Sequence, residues 1–486
     1  MRLLETQPTS PTRDGIANIH EDDTVNNAST SQQQQQPGAV PSRVLKGHTS
    51  TISEICVLKE STGTNVAFSS ASLDGSVRLW DPQTGESLCT LYHGQQDDNN
   101  HNNNSNNSNN SHDGPQSSGE QEPPVSVLAL DATHERSPML YSGAADGSLW
   151  SWDAAMGKLT KKIRQAHSGP ITSLKVAAME TSRIVTGSAD NTVKVWDMRQ
   201  KRPLVYTLRG HSGPVTSLKV ESSWGRIFSG SKDQSLRVWD IRTGRQTHAL
   251  QDHFGSVQCV VTSPNVLKGY VSGARDSSIK FWNMDGNCMR TIRAHKGAVY
   301  DMALQPLFDG VGSGMMVGSG ATNEEMTSNN NVTMTTNNGA SNNECNTFNS
   351  NNNNNSNNTT NNNTSTAAMD DTMMATSRGG VMGPLLASGG ADGIVKLWDC
   401  TRKKCVSELK GHRGAVYACK WAGPDCVVSA SADSTVKAWD INSGKCLTLA
   451  GHTSAVTDIY CDKDCILSAS KDATLRLWSL GIGFGL

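Results

Sequence analysis

Short apolar runs alternate with clusters of glycine, serine, asparagine and aspartate along most of this chain. Residues 184–199, IVTGSADNTVKVWDMR, show the unit. Ile184, Val185 and Thr186 are β-branched and suit a strand. Gly187 to Asn191 are small and polar and suit a tight turn. Thr192 to Trp196 supply a second strand, and length and turn content predict an antiparallel hairpin. A further strand opens four residues after a histidine (His211 to Val215), and another follows the turn after each tryptophan, as in Thr243 to Leu250. The pattern predicts four short strands per unit.

The unit recurs eight times. Its closing tryptophans are Trp80, Trp152, Trp196, Trp239, Trp282, Trp398, Trp439 and Trp478. Six residues before each stands an aspartate: Asp74, Asp146, Asp190, Asp233, Asp276, Asp392, Asp433 and Asp472. Ten before each stands Ser70, Ser142, Thr186, Ser229, Ser272, Ser388, Ser429 or Ser468. Histidines precede seven of the units: His48, His167, His211, His253, His295, His412 and His452. The second unit departs from this, because four residues before Val125 stands Gln121. Three positions held in register through eight copies define a repeat of about 40 residues, which takes precedence over any domain count from length.

Three segments lie outside the pattern. Residues 1–40 are polar, with a glutamine run at 32–36, and their composition predicts a disordered N-terminal segment ahead of a repeat domain over 41–486. Insertions of about 94–122 and 307–383 are rich in asparagine and cannot support a packed core. Met315 to Gly320 imitate a repeat strand without the tryptophan, so Leu385 to Ser388 are the better start for the strand leading to Trp398.

Bulk properties exclude several roles. A net charge of -2 provides no overall field toward nucleic acid or anionic membrane. No apolar run reaches the roughly 20 residues of a membrane span, and the first residues lack the basic-then-apolar order of a secretory signal. The 12 cysteines show no zinc-site spacing, and Cys56, Cys259, Cys419 and Cys461 sit in strand-like runs. They read as small hydrophobes in a reducing, intracellular setting, cytoplasmic or nuclear.

GHSGPVTSLKV followed by RIFSGSKDQSLRVWD resembles the WD-repeat family of β-propellers, over about 41–93, 123–306 and 384–486. The resemblance implies an all-β, eight-bladed propeller of radial four-stranded blades, although seven is the commoner number. Only eight residues follow Trp478, so the last blade is expected to take its outer strand from Arg43 to Lys46 and so close the ring. The resemblance also makes each His, Ser/Thr, Asp and Trp set a structural tetrad. Seven copies of one set argue against a catalytic triad, and no Gly-rich phosphate loop or HExxH is present. No cofactor or metal is expected.

Function is then expected to be binding. In the family, one mouth of the channel is lined by residues three and five after the histidine and by the residue before the aspartate. On blades four to eight these positions hold Lys232, Arg275, Gln258, Tyr300, Tyr417 and Lys471, whereas blades one to three hold small neutral residues such as Thr51 and Thr172. Cations beside aromatics suit an acidic or phosphorylated peptide. Two successive units also end Trp-Asp-x-Arg, at Arg199 and Arg242. That ending resembles the motif with which substrate receptors of cullin-based ubiquitin ligases engage their adaptor, and Arg suits such a contact through its rigid fork. The expectation is a non-catalytic protein-interaction scaffold, with the ligase receptor as alternative and an enzyme rejected.

Overall fold

The computed structural model describes residues 42–59, 65–93, 124–133, 138–177, 183–263, 266–306 and 383–479. The predicted N-terminal segment 1–40 and both asparagine-rich insertions lie outside the described residues, as do Met315 to Gly320.

The described residues form eight four-stranded antiparallel sheets and no helix. Each sheet is a blade: 52–92, 127–163, 171–208, 215–250, 257–293, 299–410, 416–450 and, for blade eight, 456–479 with the strand Ser42–Lys46. That strand runs antiparallel to Thr474–Ser479, from Ser42 opposite Trp478 to Lys46 opposite Thr474. The first and last described strands therefore share one sheet, and this pairing closes the ring. The strand that leads to Trp398 is preceded by Leu385–Gly390, in agreement with the reading of the sixth unit.

The cores lie between successive blades. The first residue of every innermost strand, Ile52, Val127, Ile171, Val215, Val257, Val299, Val416 and Val456, is fully buried. This residue packs on the second strand of the preceding blade. A Cβ on Gly187 would meet Val215 Cγ1 at 2.6 Å, and one on Gly230 would meet Val257 Cγ1 at 2.7 Å. The small residue before the Ser of the turn is thus required by close approach of the next blade. The second blade starts at Val127, two residues later than the apolar pattern at Val125 suggests.

Polar side chains tie the seams. Thr172 Oγ1 donates to Val215 O at 2.6 Å, Ser53 Oγ to Val127 O at 2.8 Å and Thr457 Oγ1 to Ile52 O at 2.8 Å, each from one blade to the next. Carboxylates on the innermost strands accept from the next blade's backbone: Glu54 from Leu130 N at 2.9 Å and Asp131 from Val176 N at 2.8 Å. Lys175 joins Glu54 at 3.1 Å and Lys420 joins Asp301 at 2.7 Å.

The cysteines divide. Cys259 and Cys419 are buried and Cys56 and Cys461 half-buried, but Cys288, Cys405 and Cys446 are exposed. These three stand near the start of the outermost strands, one face of which looks outward to solvent.

Candidate functional site: the channel mouth

The tetrads position the mouth. In blade three, His167 Nδ1 is 2.8 Å from Asp190 Oδ2 and Nε2 is 2.7 Å from Thr186 Oγ1, which accepts Trp196 Nε1–H at 2.7 Å. His48, Ser70, Asp74 and Trp80 in blade one, and His211, Ser229, Asp233 and Trp239 in blade four, make the same contacts at 2.8 to 2.9 Å. So do His253, Ser272, Asp276 and Trp282 in blade five, and His295, Ser388, Asp392 and Trp398 in blade six. His412, Ser429, Asp433 and Trp439, then His452, Ser468, Asp472 and Trp478, complete blades seven and eight.

The aspartate is held from several sides. Burial pushes the Asp190 carboxyl up, but hydrogen bonds from Thr192 and His167 outweigh it and bring it down to about 2. Burial in turn pushes His167 down to about 4 against the pull of Asp190. A neutral histidine donating to the carboxylate and accepting from the hydroxyl satisfies every buried polar atom of the set. The aspartate also accepts the N–H of the residue after the histidine, as Asp276 Oδ2 does from Phe254 at 2.9 Å.

Blade two is built differently. His93, on the far side of the first insertion, reaches Ser142 Oγ at 2.8 Å through Nε2, and Ser142 accepts Trp152 Nε1–H at 2.9 Å. The histidine missing at Gln121 is thus supplied 49 residues before the serine. Its Nδ1 is buried without a partner. Burial, aided by the Lys162 ammonium, pushes His93 down to about 3.

Two features set the mouth itself. In every blade the residue before the aspartate position donates its N–H to the carbonyl of the residue that immediately precedes the innermost strand, as in Lys232 to Pro214 at 2.8 Å, Arg275 to Ser256 at 2.9 Å and Lys471 to Ala455 at 2.9 Å. The two sets of expected mouth residues therefore meet at one end of each blade. Every blade also carries a β-bulge one residue into its innermost strand, at Ser53, Leu128, Thr172, Thr216, Gln258, Tyr300, Tyr417 and Thr457. A bulge leaves its residue out of the ladder and re-aims the side chain.

The bulge residues split by type. Ser53, Thr172, Thr216 and Thr457 donate to the carbonyl that begins the next blade. Thr172 is therefore a seam tie, not the neutral surface residue that its place on blade three suggests. Gln258, Tyr300 and Tyr417 make no such tie. Gln258 Nε2 donates to Ser256 Oγ at 2.8 Å, and the rings of Tyr300 and Tyr417 meet edge to face with centroids 5.5 Å apart. Lys232, Arg275 and Lys471 are exposed on the adjoining turns.

Three mouth residues escape the family spacing. Phe254 is 87 % exposed, and Lys296 and Arg413 are also exposed. Each follows a tetrad histidine and offers its N–H to the aspartate, so its side chain turns outward. The position one after the histidine was the available signal.

Arg199 and Arg242 stand after the tryptophan strands, away from this mouth, and both are exposed. Arg199 forks onto its own Asp197, Nε to Oδ1 at 3.0 Å and Nη2 to Oδ2 at 3.1 Å. Arg242 donates its backbone N–H to Asp240 Oδ1 at 2.9 Å.

The WD domain, G-beta repeat family matches residues 39–81, 381–399, 403–440 and 444–479, which fall on blades one and six to eight. The chain is a WD40-repeat β-propeller. Residues 121–322, which include blades two to five, match the family described as nucleolar protein 10-like, N-terminal domain. Among curated proteins, Striatin-3 of Rattus norvegicus is 33% identical over 69 residues, 13% of this chain and 9% of that protein. The DDB1- and CUL4-associated factor 13 of Mus musculus is 40% identical over 55 residues, 11% of this chain and 12% of its own. Nuclear distribution protein PAC1 of Coccidioides posadasii is 41% identical over 56 residues, covering 11% and 12%. The matches thus span about a tenth of the length of these relatives. Among solved structures, the computationally designed Ika8 protein superposes with a TM-score of 0.58 at 25% identity, over 90% of this chain and 98% of that chain. Among the described residues no group of three or more His, Cys, Asp or Glu side chains is placed to hold a metal ion.

Proposed function

We propose that this WD40 propeller is a protein-interaction scaffold that holds an acidic or phosphorylated peptide on the mouth of blades four to eight. The observation that carries this reading is the Tyr300–Tyr417 pair, two rings in contact on adjacent bulges where blades one, three, four and eight use the residue as a seam tie. Around it stand Lys232, Arg275, Lys296, Arg413 and Lys471, with Gln258 and Phe254 between. Aromatic rings supply packing, and the cations supply selection and encounter rate. Tyr300→Ala with Tyr417→Ala should weaken the main partner by more than roughly 2 kcal/mol in a titration of the purified chain. Thr49→Ala with Thr51→Ala, on the neutral arc of blade one, should change the affinity little. Equal losses from the two pairs would place the partner elsewhere.

A second reading rests on the opposite end of blades three and four. Arg199 and Arg242 are exposed on successive Trp-Asp-x-Arg endings, and the DDB1- and CUL4-associated factor 13 is among the relatives. This favours a role as substrate receptor of a cullin-based ligase, with the two arginines docking the adaptor. The match to a nucleolar protein 10-like domain supports a nuclear site of action. Arg199 is 61% exposed at the side chain, and the buried Asp197 keeps its bond from Gln200, so losing the Arg199–Asp197 pair costs folding only about 1 kcal/mol. Arg199→Ala with Arg242→Ala should therefore abolish co-purification of a cullin adaptor while the melting temperature stays put. Undiminished recovery of the adaptor would sink this reading.

A further inference from the structure

Blade two departs from the other seven at one carboxylate. The tetrad aspartates of the other blades are 7 to 11 % exposed at the side chain, each bonded to its histidine. Asp146 is exposed, and its Oδ1 accepts a local bond from Ser148 N at 2.8 Å.

The cause lies two residues before the tetrad tryptophan. There the other blades carry a cation, such as Arg78, Lys194, Lys437 or Arg476, about 6 Å over the indole. Blade two carries Trp150, stacked on Trp152 at 5.5 Å and lying 4.5 Å from the His93 ring. Trp150 Nε1–H donates to Ser148 Oγ at 2.7 Å. In blades one, three, four, five, seven and eight the hydroxyl at that place binds the aspartate, as Thr192 binds Asp190 at 2.6 Å. In blade two it is taken by an indole. His93 Nδ1 is left without a carboxylate, and the carboxylate is left without a histidine. Asp146 instead lines a cavity of about 640 Å³ together with His167, Ser168 and Arg209.

The position of this carboxylate gives it a use. Ala145 N donates to Ser126 O at 2.9 Å, the same contact that sets the mouth in every blade, so Asp146 stands at the mouth. In a ring of eight, blade two lies across the channel from blade six, the middle of the cationic arc. We infer that Asp146 is a specificity-determining residue that receives a basic side chain of the bound peptide, so that the mouth reads a segment of mixed charge in one direction. The acidic or phosphorylated part lies over blades four to eight and a Lys or Arg reaches blade two. This rests on the mouth reading given above.

The test is selection by the full chain from a degenerate 12-residue peptide pool with a fixed central phosphoserine, which spans up to about 40 Å when extended. The wild type should enrich Lys or Arg on one flank by roughly two- to fivefold, the size of one exposed ion pair. Asp146→Asn should lose that enrichment, keep the preference for acidic residues and melt at the wild-type temperature. Asp190→Asn, in an intact tetrad, should lower the melting temperature. Arg275→Ala should weaken the acidic preference and leave the basic one. Basic enrichment that survives Asp146→Asn, or none in the wild type, overturns the inference while the mouth reading stands. A drop in melting temperature for Asp146→Asn also overturns it, since the residue would then act in the fold. No selection of either charge overturns both.

Discussion

A chain lacking residues 1–46 should lose the cooperative unfolding transition of the full protein, whereas one lacking 1–38 should keep its melting temperature. The difference is the strand Ser42–Lys46, the outer strand of blade eight. Leu45 is 1% exposed and packs in a cluster with Ile52, Phe68, Trp80 and Leu475. Losing its burial removes about 2 to 3 kcal/mol. The ladder to Thr474–Ser479 contributes about 1 kcal/mol net for each hydrogen bond. Arg43 Nη1 also bonds Gln83 O in blade one, so the strand spans the closing seam. Together these approach the whole stability of an ordinary domain. The deletion further leaves Thr474–Ser479 as an unpaired edge, open to aggregation. Differential scanning calorimetry of the two truncations decides it, and matching transitions would remove the closing role of the strand.

Acid should unfold the protein in two stages that meet near pH 4. His167 is pushed down to about 4 and His93 to about 3, and burial also lowers His295, His412 and His452. An unfolded histidine takes up its proton near 6.5, so between 6.5 and 4 the unfolded chain binds more protons and stability falls as pH falls. His167 alone accounts for roughly 3 kcal/mol over that range. The tetrad aspartates follow. Asp190, Asp433 and Asp472 lie at about 2, so their stabilisation is present above the ordinary carboxylate value near 3.9 and is lost as pH drops toward 2. Burial raises Glu54 and Asp458, whose contribution has the opposite sign and fades as pH rises. They are outnumbered by the tetrad groups. Urea midpoints should therefore be flat above about pH 7 and fall steadily from pH 6.5 downward. A midpoint unchanged between pH 7 and pH 5 would show that the histidines do not carry this linkage.

Much of this architecture could be read from single units. The hairpin at 184–199, the Gly-Ser turn and the spacing of Asp190 and Trp196 from Thr186 are local, because a strand's period and a turn's residue preferences act over a few residues. Eight repetitions made the blade count legible, and the run Arg43 to Lys46 was read as the outer strand of the last blade, which the observed strand Ser42–Lys46 bears out. The positions proposed for the mouth could be named from the same spacing. Their division into tied and untied residues could not, because Thr172 and Tyr417 hold the same place in their units and differ only in what the next blade offers.

The chain's own pattern thus determined the repeat, the pairing within each blade, the partner that closes the ring and the residue types of each tetrad. Tertiary structure alone decided that His93 crosses an insertion to serve Ser142, that a bulge turns Tyr300 and Tyr417 into contact, and that Trp150 displaces the cation and leaves Asp146 exposed. The first group follows from interactions between residues near in sequence, which any copy of the unit repeats. The second depends on which side chain fills space between blades, and packed neighbours compete for one hydroxyl or one gap in ways no single repeat encodes.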